Sequence, residues 1–589
     1  MKYLNKISLL FAFIFIGFSC DLTDLDQLDN PNAVTAANAD VDLYFNEIQV
    51  SFASYFNGTQ GTGMQLARMT AMFGNNYQSA YSPNGFNWRW NMAYASIFPD
   101  IDAMNELATE KKQLFHVGAA KIMKAYVLQS LVDTFGNVPY SEALKGVDNP
   151  SPKADDASAL YTVVGTLLDE AIAHLNDGSS IGSPKVDIFY GGSKAKWITL
   201  ANTMKMRLAL AKGDGAGVTA AVAAGVIDSH DENFVFQYGS NRSNPNSRHP
   251  WYSGAYESSS WSYLSNYYMW EMHEEKAVRD PRIRFYFKRQ DLDAADENQF
   301  TLDCVTNDRP GHYYTYTNAY GTDTEWPYCL ASNTTHINPT NAGGYWGRDH
   351  GNNDGIPPDG QKRTAPGIYP AGGEYDTGNQ SNGKGESHTW YKGTTGAGGD
   401  GIDPILTSSF VHFMRAEAAL TLGTGEDARV HLDSAMSHSM AYVKATAERI
   451  GGDIDAPSAT TLAGDLTNYQ RNVDNYKTSV LTAYDAVADK LNIVVKEYRL
   501  ALWGNGNEAW NVMRRTGKPM NAKGAELQWT REAGNGDFPR LFPYPSDYVN
   551  LNANATQQAM TTTVFWDKNG GAHNSVSYTH LTLPTICSV

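Results

Sequence analysis

Aromatic side chains that lie near amide, carboxylate and guanidinium groups are the residues of this sequence best suited to chemistry. A sugar ring has an apolar face of C–H groups and an equator of hydroxyls, so its site needs an aromatic platform with polar partners at the edge. The Gly- and Asn-rich stretch 230–403 supplies both kinds of group. The ligand-binding residues that we predict there are Trp251, Tyr313, Tyr320, Trp326, Trp346 and Arg348. The alternative is that most rings of this stretch, the predicted ones included, fill a second core beneath long loops.

Motifs for enzymatic catalysis do not hold up in this sequence. Gly504-x-Gly506-x-x-Ala509 follows a helical segment, whereas a dinucleotide fingerprint must follow a strand. The Gly378 to Lys384 stretch lacks the Ser or Thr that would bind magnesium in a phosphate loop. These motifs therefore provide no candidate catalytic residue. The 63 acidic residues still supply many carboxylate pairs, so a glycoside hydrolase stays an alternative at this stage.

Metal-binding patterns are equally incomplete. Residues 349–359 are rich in oxygen ligands, but His350 occupies the first position of the calcium loop that they would form. A calcium site and an ordinary Asx-rich turn are the two alternatives there. We predict no metal and no other cofactor.

The elements that must position these groups are mainly helices. A strict i, i+3, i+4, i+7 apolar stripe runs from Leu160 to Leu175, and a second begins at Trp197. Further helical stretches are expected at 102–113, 116–135, 261–276, 406–420, 426–448 and 476–500. Paired helices of this length predict an array of helical hairpins. Glu417 falls on an apolar helix face, where a carboxylate needs a partner. Two roles are open to it: a catalytic acid, or an ion pair with Arg207 or Arg514, which is the role that we favour.

The first twenty residues resemble a secretory signal that ends in a lipobox. Lys2 and Lys6 precede an apolar stretch from Ile7 to Phe18, and Ser19-Cys20 closes it. The alternative is an ordinary secreted protein with an incidental cysteine. The acidic segment that follows, with no Lys or Arg between 21 and 42, predicts a solvated tether on a lipidated Cys20. No later segment is apolar enough to cross a bilayer.

The net charge limits the kinds of molecule that this protein is expected to bind, and the cysteine content leaves two alternatives for the thiols of the middle region. The net charge of −17 disfavours nucleic acid and anionic lipid. Cys304 and Cys329 either form a disulfide or stay as two buried thiols.

The domain boundaries that we predict are a signal peptide at 1–19, a tether at 20–42, one domain at 43–567 and a tail at 568–589, non-native from about 575. Within the domain, 43–229 and 404–567 form the helical scaffold, and 230–403 the loop-rich ligand region.

Five segments taken together resemble one family. In chain order they read AAKIMKAYVLQSLVDTFGNVPYSEAL, ALYTVVGTLLDEAIAHL, KWITLANTMKMRLALA, HFMRAEAAL and NEAWNVMRRTGKP. Their order and spacing are similar to those of the SusD/RagB outer-membrane lipoproteins of Gram-negative bacteria, over about residues 20–567. RHPWY, GYWGRDHGNNDG, YPSDYVNLN and FWD favour the SusD-like subgroup.

The resemblance implies a mainly α fold with a scaffold of tetratricopeptide-like hairpins and a loop-rich ligand face. It also implies a surface-facing, lipid-anchored outer-membrane protein that binds oligosaccharides, sits on a TonB-dependent SusC-like transporter and is not an enzyme. The peptide-binding RagB-like branch is the alternative. Family ligand aromatics lie in loops after the first helices as well as in the middle region, which adds Tyr77, Tyr81 and Trp88. The hallmark positions are expected to be scaffold: Tyr126, Phe135, Pro139, Trp197, Arg207, Glu417, Trp510 and Arg515.

Overall fold

The computed structural model describes most of the chain from Asp40 onward. The described residues are 40–74, 76–258, 261–273, 275–276, 278–288, 347–348, 350–351, 364–376, 393–451, 469–519, 536–571 and 573, with 315–317 and 323–325 described as backbone alone. Cys20, Cys304, Cys329, Tyr313, Tyr320, Trp326 and Trp346, named above, lie outside these ranges.

Helices make up most of the described chain. The first group is α1 (Val41–Leu66), α2 (Tyr77–Ala80), α3 (Asn87–Asn91), α4 (Phe98–Glu110), α5 (Leu114–Phe135), α6 (Ala157–Asn176), α7 (Lys194–Lys212) and α8 (Gly215–Ala224). The middle contributes α9 (Pro250–Tyr256), α10 (Asn266–His273) and α11 (Ile283–Tyr286). The last group is α12 (Ser408–Leu422), α13 (Ala428–Gly451), α14 (Tyr469–Ala486), α15 (Lys490–Ala501), α16 (Gly506–Thr516) and α17 (Ser546–Leu551).

Consecutive helices pack as hairpins in both groups. In the first, α4 packs on α5, α5 on α6, α6 on α7 and α7 on α8; in the last, α12 packs on α13 and α13 on α14. Helix α5 lies at the centre, and every residue in it except Lys121 is buried. An added Cβ at Gly118 would lie 2.7 Å from Leu175, so this glycine lets α5 and α6 approach closely. The predicted mainly α, tetratricopeptide-like architecture is confirmed.

Helix α1 joins the two groups through α16. The Asp40 carboxylate accepts a hydrogen bond from the Asp42 amide and caps the start of α1. Near its other end, a Cβ on Gly63 would lie 2.2 Å from the carbonyl oxygen of Gly506. The two backbones therefore touch, which only glycine allows at this distance.

Short antiparallel strand pairs complete the described fold. Strand β1 (Phe234–Gln237) pairs with β6 (Ile402–Leu406), with Phe236 opposite Asp403. Strand β2 (Phe287–Lys288) pairs with β5 (Ala365–Pro366), and β3 (Thr315–Thr317) with β4 (Asp323–Glu325). The β1–β6 pair brings the end of the first helical group to the start of the last.

Buried ion pairs attach the middle region to α15. Lys276 donates to Glu497 at 2.5 Å, and both side chains are essentially unexposed. Lys496 pairs with Glu275, and Arg499 with Glu271, in equally buried positions. One face of α15 thus holds the segment around α10 by charge as well as by packing.

Element boundaries differ from the expectations in four places. Leu406 ends a strand, and the helix after it begins at Ser408. The expected helix 476–500 is two helices, α14 and α15, separated at residues 487–489. The helix expected at 261–276 covers Asn266–His273 alone. Helix α1 begins at Val41, inside the expected tether.

Two further expectations concern turns and the membrane. Gly504 adopts φ +104° between α15 and α16, which confirms a turn between helices at this glycine motif. Within the described ranges, no helix combines the length and apolarity needed to cross a bilayer.

Candidate ligand-binding surface

Trp88 presents a flat aromatic ring at the surface. It lies in α3 and is 46% exposed, the largest exposed fraction of any described tryptophan. Its indole lies against Gly58 of α1: an added Cβ there would be 2.4 Å from one indole carbon and 2.5 Å from the next. The glycine backbone therefore supports the ring from beneath and leaves its other side to solvent.

The residues on either side of Trp88 are fixed in the protein. Arg89 is buried and donates to the hydroxyl of Thr134 at 2.8 Å and to the carbonyl of Thr59. Trp90 packs on Tyr548, with ring centroids 4.4 Å apart. Burial lowers the pKa of Arg89 from its usual value, and its hydrogen bonds compensate the buried charge. Trp88 is thus an exposed ring on a short helix held on both sides.

Exposed polar residues lie close to this ring in sequence. Asn91, which lies one helical turn after Trp88, is exposed, as are Asn84 before it and Ser54, one turn before Gly58 on α1. Half-buried Asn57 lies beside Gly58 in sequence and donates to the Asp403 carboxylate at 2.9 Å. Amide and hydroxyl groups next to a flat ring can pair with sugar hydroxyls while the ring takes the C–H face.

Asp403 connects this surface to the residues around Trp251. Its carboxylate also accepts from the Tyr238 hydroxyl at 2.7 Å, and the imidazole of His249 lies 3.4 Å away. Burial and the Asp403 carboxylate raise the pKa of Tyr238 well above its usual value, so its hydroxyl keeps its proton. The carboxylate is satisfied by these donors and acts as a positioning group.

Trp251 is mainly buried. It is 8% exposed and lies among the rings of His249, Trp261 and Trp503 at centroid distances of 5.2 to 5.5 Å. Such edge-to-face and tilted contacts are those of an aromatic core. In this arrangement Trp251 lies beneath the surface.

Tyr77, Tyr81 and Arg348 form one cluster, also largely buried. The two tyrosine rings stack with centroids 6.2 Å apart, and Arg68 donates to the Tyr77 hydroxyl at 3.3 Å. The Arg348 guanidinium lies over the ring of Tyr263 at 4.8 Å. Exposed fractions in this cluster are 4% or less for the three predicted residues. The structure therefore buries these three in neighbouring segments and leaves Trp88 as the exposed member of the described predictions.

Backbone bridges build this cluster from distant segments. Thr70 bridges Leu264, and Ser265 bridges Arg348, so three separate stretches run side by side. His350 follows, with its ring 5.8 Å from Tyr77. Burial, with the nearby Arg68, lowers the pKa of His350 well below its usual value, which keeps the ring neutral.

Sequence reasoning missed the role of Gly58. Its signal was the run of small residues Gly58, Gly61 and Gly63 inside an otherwise ring-rich helix. Glycine in a helix interior is unfavourable, so such a run indicates close approach by another group. Gly58 meets a side chain and Gly63 a backbone, whereas Gly61 meets nothing within 4 Å.

Glu417, the acidic residue considered for catalysis, lies in a buried ion pair, and the carboxylates and amides of the possible calcium loop at 349–359 lie outside the described residues. Glu417 accepts two hydrogen bonds from Arg515, at 2.6 and 2.9 Å, so the ion-pair interpretation is confirmed and the expected partners, Arg207 and Arg514, are wrong. Arg207 pairs with Glu508 instead, at 2.7 Å. In the described part of the chain, no group of three or more His, Cys, Asp or Glu side chains is placed to hold a metal ion. The hallmark residues are buried or half-buried, as expected of a scaffold.

Two sequence families match the chain in succession. Residues 31–319 match a SusD-like family described as starch-binding and associating with the outer membrane. Residues 381–572 match the family described as SusD and RagB outer membrane lipoprotein. No curated protein sequence matches the chain.

Solved structures share the fold over nearly their whole length. A SusD/RagB family protein from Bacteroides thetaiotaomicron has 17% identity and a TM-score of 0.61, covering 90% of this chain and 99% of that chain. A SusD homolog from Bacteroides fragilis has 15% identity and a TM-score of 0.58, with the same coverage. A chitin-binding SusD homolog from Flavobacterium johnsoniae has 17% identity, a TM-score of 0.54 and again 90% and 99% coverage.

Proposed function

The chain belongs to the SusD/RagB family of outer-membrane lipoproteins, and from this premise we propose that it captures oligosaccharides at the cell surface and delivers them to a TonB-dependent, SusC-like outer-membrane transporter. It acts by binding and release, without chemical change of the ligand. Its anchor is a lipid on Cys20, which leaves the folded part free to face the medium.

The observation that carries the proposal is the Trp88 ring on Gly58. A ring that is 46% exposed, backed by a helix and close in sequence to exposed amides, offers the apolar face and polar edge that a pyranose requires. A core ring would be covered, and a ring on a flexible loop would lose conformational entropy on binding. Trp88 avoids both costs because α3 is fixed at Arg89 and Trp90.

The other predicted ligand residues take different places in this proposal. Tyr77, Tyr81, Trp251 and Arg348 lie beneath the surface and act as scaffold. Tyr313, Tyr320, Trp326 and Trp346 lie outside the described residues, and we propose that they add further rings to the same site. Stacking on one or two rings gives an affinity of roughly micromolar to millimolar strength, because ordering offsets most of the contact energy. Weak binding suits a protein that must release its ligand to a transporter.

Isothermal titration calorimetry against a ligand panel tests the proposal. The panel contains malto- and chito-oligosaccharides, which follow from the described relatives, together with plant and host glycans and a peptide digest. Saturable heat with one glycan class and no cleavage products after prolonged incubation is the expected result. Heat with peptides alone would assign the protein to the peptide-binding branch, and glycan cleavage would make it a glycoside hydrolase.

A further inference from the structure

A polar loop joins strand β1 to helix α9. Its residues 239–248 read GSNRSNPNSR, and the six from Asn241 to Asn246 are all exposed. The Gly239 N–H donates to the Ser247 carbonyl at 2.9 Å, and the Ser247 N–H donates to the Asn241 carbonyl at 2.9 Å. The loop therefore presents amide, hydroxyl and guanidinium groups from a fixed backbone, and the function proposed above assigns none of them to the ligand.

Both ends of this loop meet Asp403 of β6. Tyr238, just before the loop, donates its hydroxyl to Asp403 Oδ2 at 2.7 Å, and Nε2 of His249, just after the loop, lies 3.4 Å from Asp403 Oδ1. The backbone amides of Tyr238 and His249 also donate to the carbonyls of Gly401 and Gly399, at 2.9 Å each. The loop is thus anchored at both ends to the segment that leads into β6.

The same carboxylate reaches the helix that supports Trp88. Asn57 of α1 donates to Asp403 Oδ1 at 2.9 Å, and Asn57 directly precedes Gly58, against which the Trp88 indole lies. The Asp403 side chain is 3% exposed, so little water competes for these hydrogen bonds. Asp403 therefore fixes the support of the ring relative to both ends of the loop.

Arg242 is held in place and still keeps donors for a ligand. Its side chain is 56% exposed, and its Nε and Nη2 both donate to Glu257 Oε1, with Nε at 2.8 Å. Among the described residues, none accepts a hydrogen bond from its Nη1. Arg248 donates to the other oxygen of Glu257 at 2.7 Å. Hydrogen bonds from Arg248 and Arg242 lower the pKa of Glu257, so this carboxylate stays ionised and anchors the Arg242 guanidinium.

A guanidinium and an amide are suited to sugar hydroxyls. Guanidinium N–H groups donate in a fixed plane, and an amide both donates and accepts. The Asn244 side chain supplies such an amide: it is exposed, and within the described part of the chain it makes no hydrogen bond to the protein. Neither group offers the apolar surface that a sugar face requires, so the loop complements the Trp88 ring.

We propose that the loop 239–248 is a second subsite of the oligosaccharide site, in which Arg242 and Asn244 pair with hydroxyls of a sugar unit further along the ligand than the unit stacked on Trp88. This inference rests on the proposed oligosaccharide-binding function. The ligand class that it selects is a chain of several sugar units, because a single sugar can occupy only one of the two subsites. Since Asp403 fixes both supports, a ligand that bridges them loses little binding energy to ordering of the protein.

The test is calorimetric titration of malto- and chito-oligosaccharides of two and of six units. The wild type should bind the six-unit form of one series more tightly than the two-unit form. Arg242→Ala should lose about tenfold affinity for the six-unit form, the effect of one hydrogen bond from a charged donor, and much less for the two-unit form. Arg429→Ala is the matched control, because this guanidinium is 46% exposed and also bonds one carboxylate, that of Asp485, through Nε and Nη2. Its affinities should equal those of the wild type.

Asn244→Gly is a second variant, which leaves the hydrogen bonds of Arg242 intact. Asn244 has φ +54°, which glycine adopts without strain, so the loop should keep its shape while the amide is lost. A several-fold loss of affinity for the six-unit form is expected. Unchanged six-unit affinity in both loop variants would overturn the subsite, and a loss confined to Trp88→Ala would then leave the proposed function standing. No saturable heat from the wild type with either series would overturn both.

Discussion

Glu417 shows how single residues bind the scaffold together. It lies on the apolar face of α12 and is 2% exposed, and Arg515 of α16 donates two hydrogen bonds to its carboxylate. Arg515 also reaches Glu508 at 3.5 Å, and Glu508 pairs with Arg207 of α7. Opposite charges alternate along this series of ion pairs, so each buried charge has a partner and three helices are linked.

Glu417→Ala should destabilise the protein by about 3 kcal/mol, because Arg515 would remain buried with only a longer contact to Glu508. Urea denaturation at pH 7 measures the loss in unfolding free energy. Asp485→Ala is the matched control, since its pair with Arg429 is about half exposed and should contribute far less to the unfolding free energy. Equal losses in the two variants would contradict this account.

His573 should make the unfolding free energy fall as the pH is lowered. Its ring is fully buried, and burial together with Arg540 lowers its pKa to about 3. The unfolded chain binds a proton at this residue below about pH 6.5, whereas the folded protein does so only near pH 3. Its contribution is therefore complete above about pH 6.5 and declines as pH falls toward 3.

Unfolding free energies of wild-type and His573→Gln protein at pH 7.5, 6 and 5 test this. The difference between them should shift against the wild type as pH falls, by at most about 1.4 kcal/mol per pH unit. A difference that stays constant over this range would show that His573 is not held neutral.

At the scale of elements, helix α1 contains three glycines whose surroundings differ. Gly63 admits the backbone of α16, Gly58 admits the Trp88 indole, and Gly61 faces open space. The helix itself would be more stable with alanine at each, by roughly 1 kcal/mol per site. What each substitution does in the protein is decided by the neighbour.

Gly58→Ala should weaken ligand binding without unfolding the protein. The new Cβ would lie 2.4 Å from an indole carbon of Trp88 and would therefore displace the ring. Gly61→Ala is the matched control on the same helix: it should gain up to about 1 kcal/mol in stability and bind normally. Calorimetry and thermal melts of both variants give the comparison. Normal binding by Gly58→Ala would contradict the supporting role of this glycine.

Sequence periodicity located the long helices because each must bury an apolar stripe. The stripe from Leu160 to Leu175 became α6, and α5 and α7 also lie where expected. It failed at Leu406, which is buried in a strand of five residues that are all buried, since a fully covered strand shows no alternation. It also joined α14 to α15, because the break at 487–489 carries no glycine or proline.

The candidate site was less predictable than the fold. Aromatic residues were recognisable by type, but whether a ring is covered depends on contacts between distant segments, as with Tyr77 and His350. Trp88 and Trp251 look alike in sequence, yet one is 46% exposed and the other 8%. The partner of Glu417 was misassigned for the same reason, because Arg207, Arg514 and Arg515 all lie on helices that face the same core.

At the scale of the whole molecule, the proposed lipid anchor and the proposed glycan site lie in different parts of the chain. We expect Cys20→Ala to move the protein from the membrane fraction to the soluble fraction, because a buried acyl chain contributes about 0.8 kcal/mol per CH₂ group to membrane attachment. Glycan affinity of the purified variant should equal that of the wild type. Fractionation with an immunoblot gives the distribution, and unchanged membrane association would show that the anchor lies elsewhere.

The most direct test of the central claim is the affinity of Trp88→Ala for the glycan that the panel identifies. Trp88 has about half of its surface left to bury, so its loss should cost about 1–1.5 kcal/mol, or roughly tenfold in Kd. Phe565→Ala is the control, because this ring is 40% exposed but rests on Tyr161 of α6. The account predicts a tenfold loss for Trp88→Ala and none for Phe565→Ala; equal affinities in the two variants would contradict it.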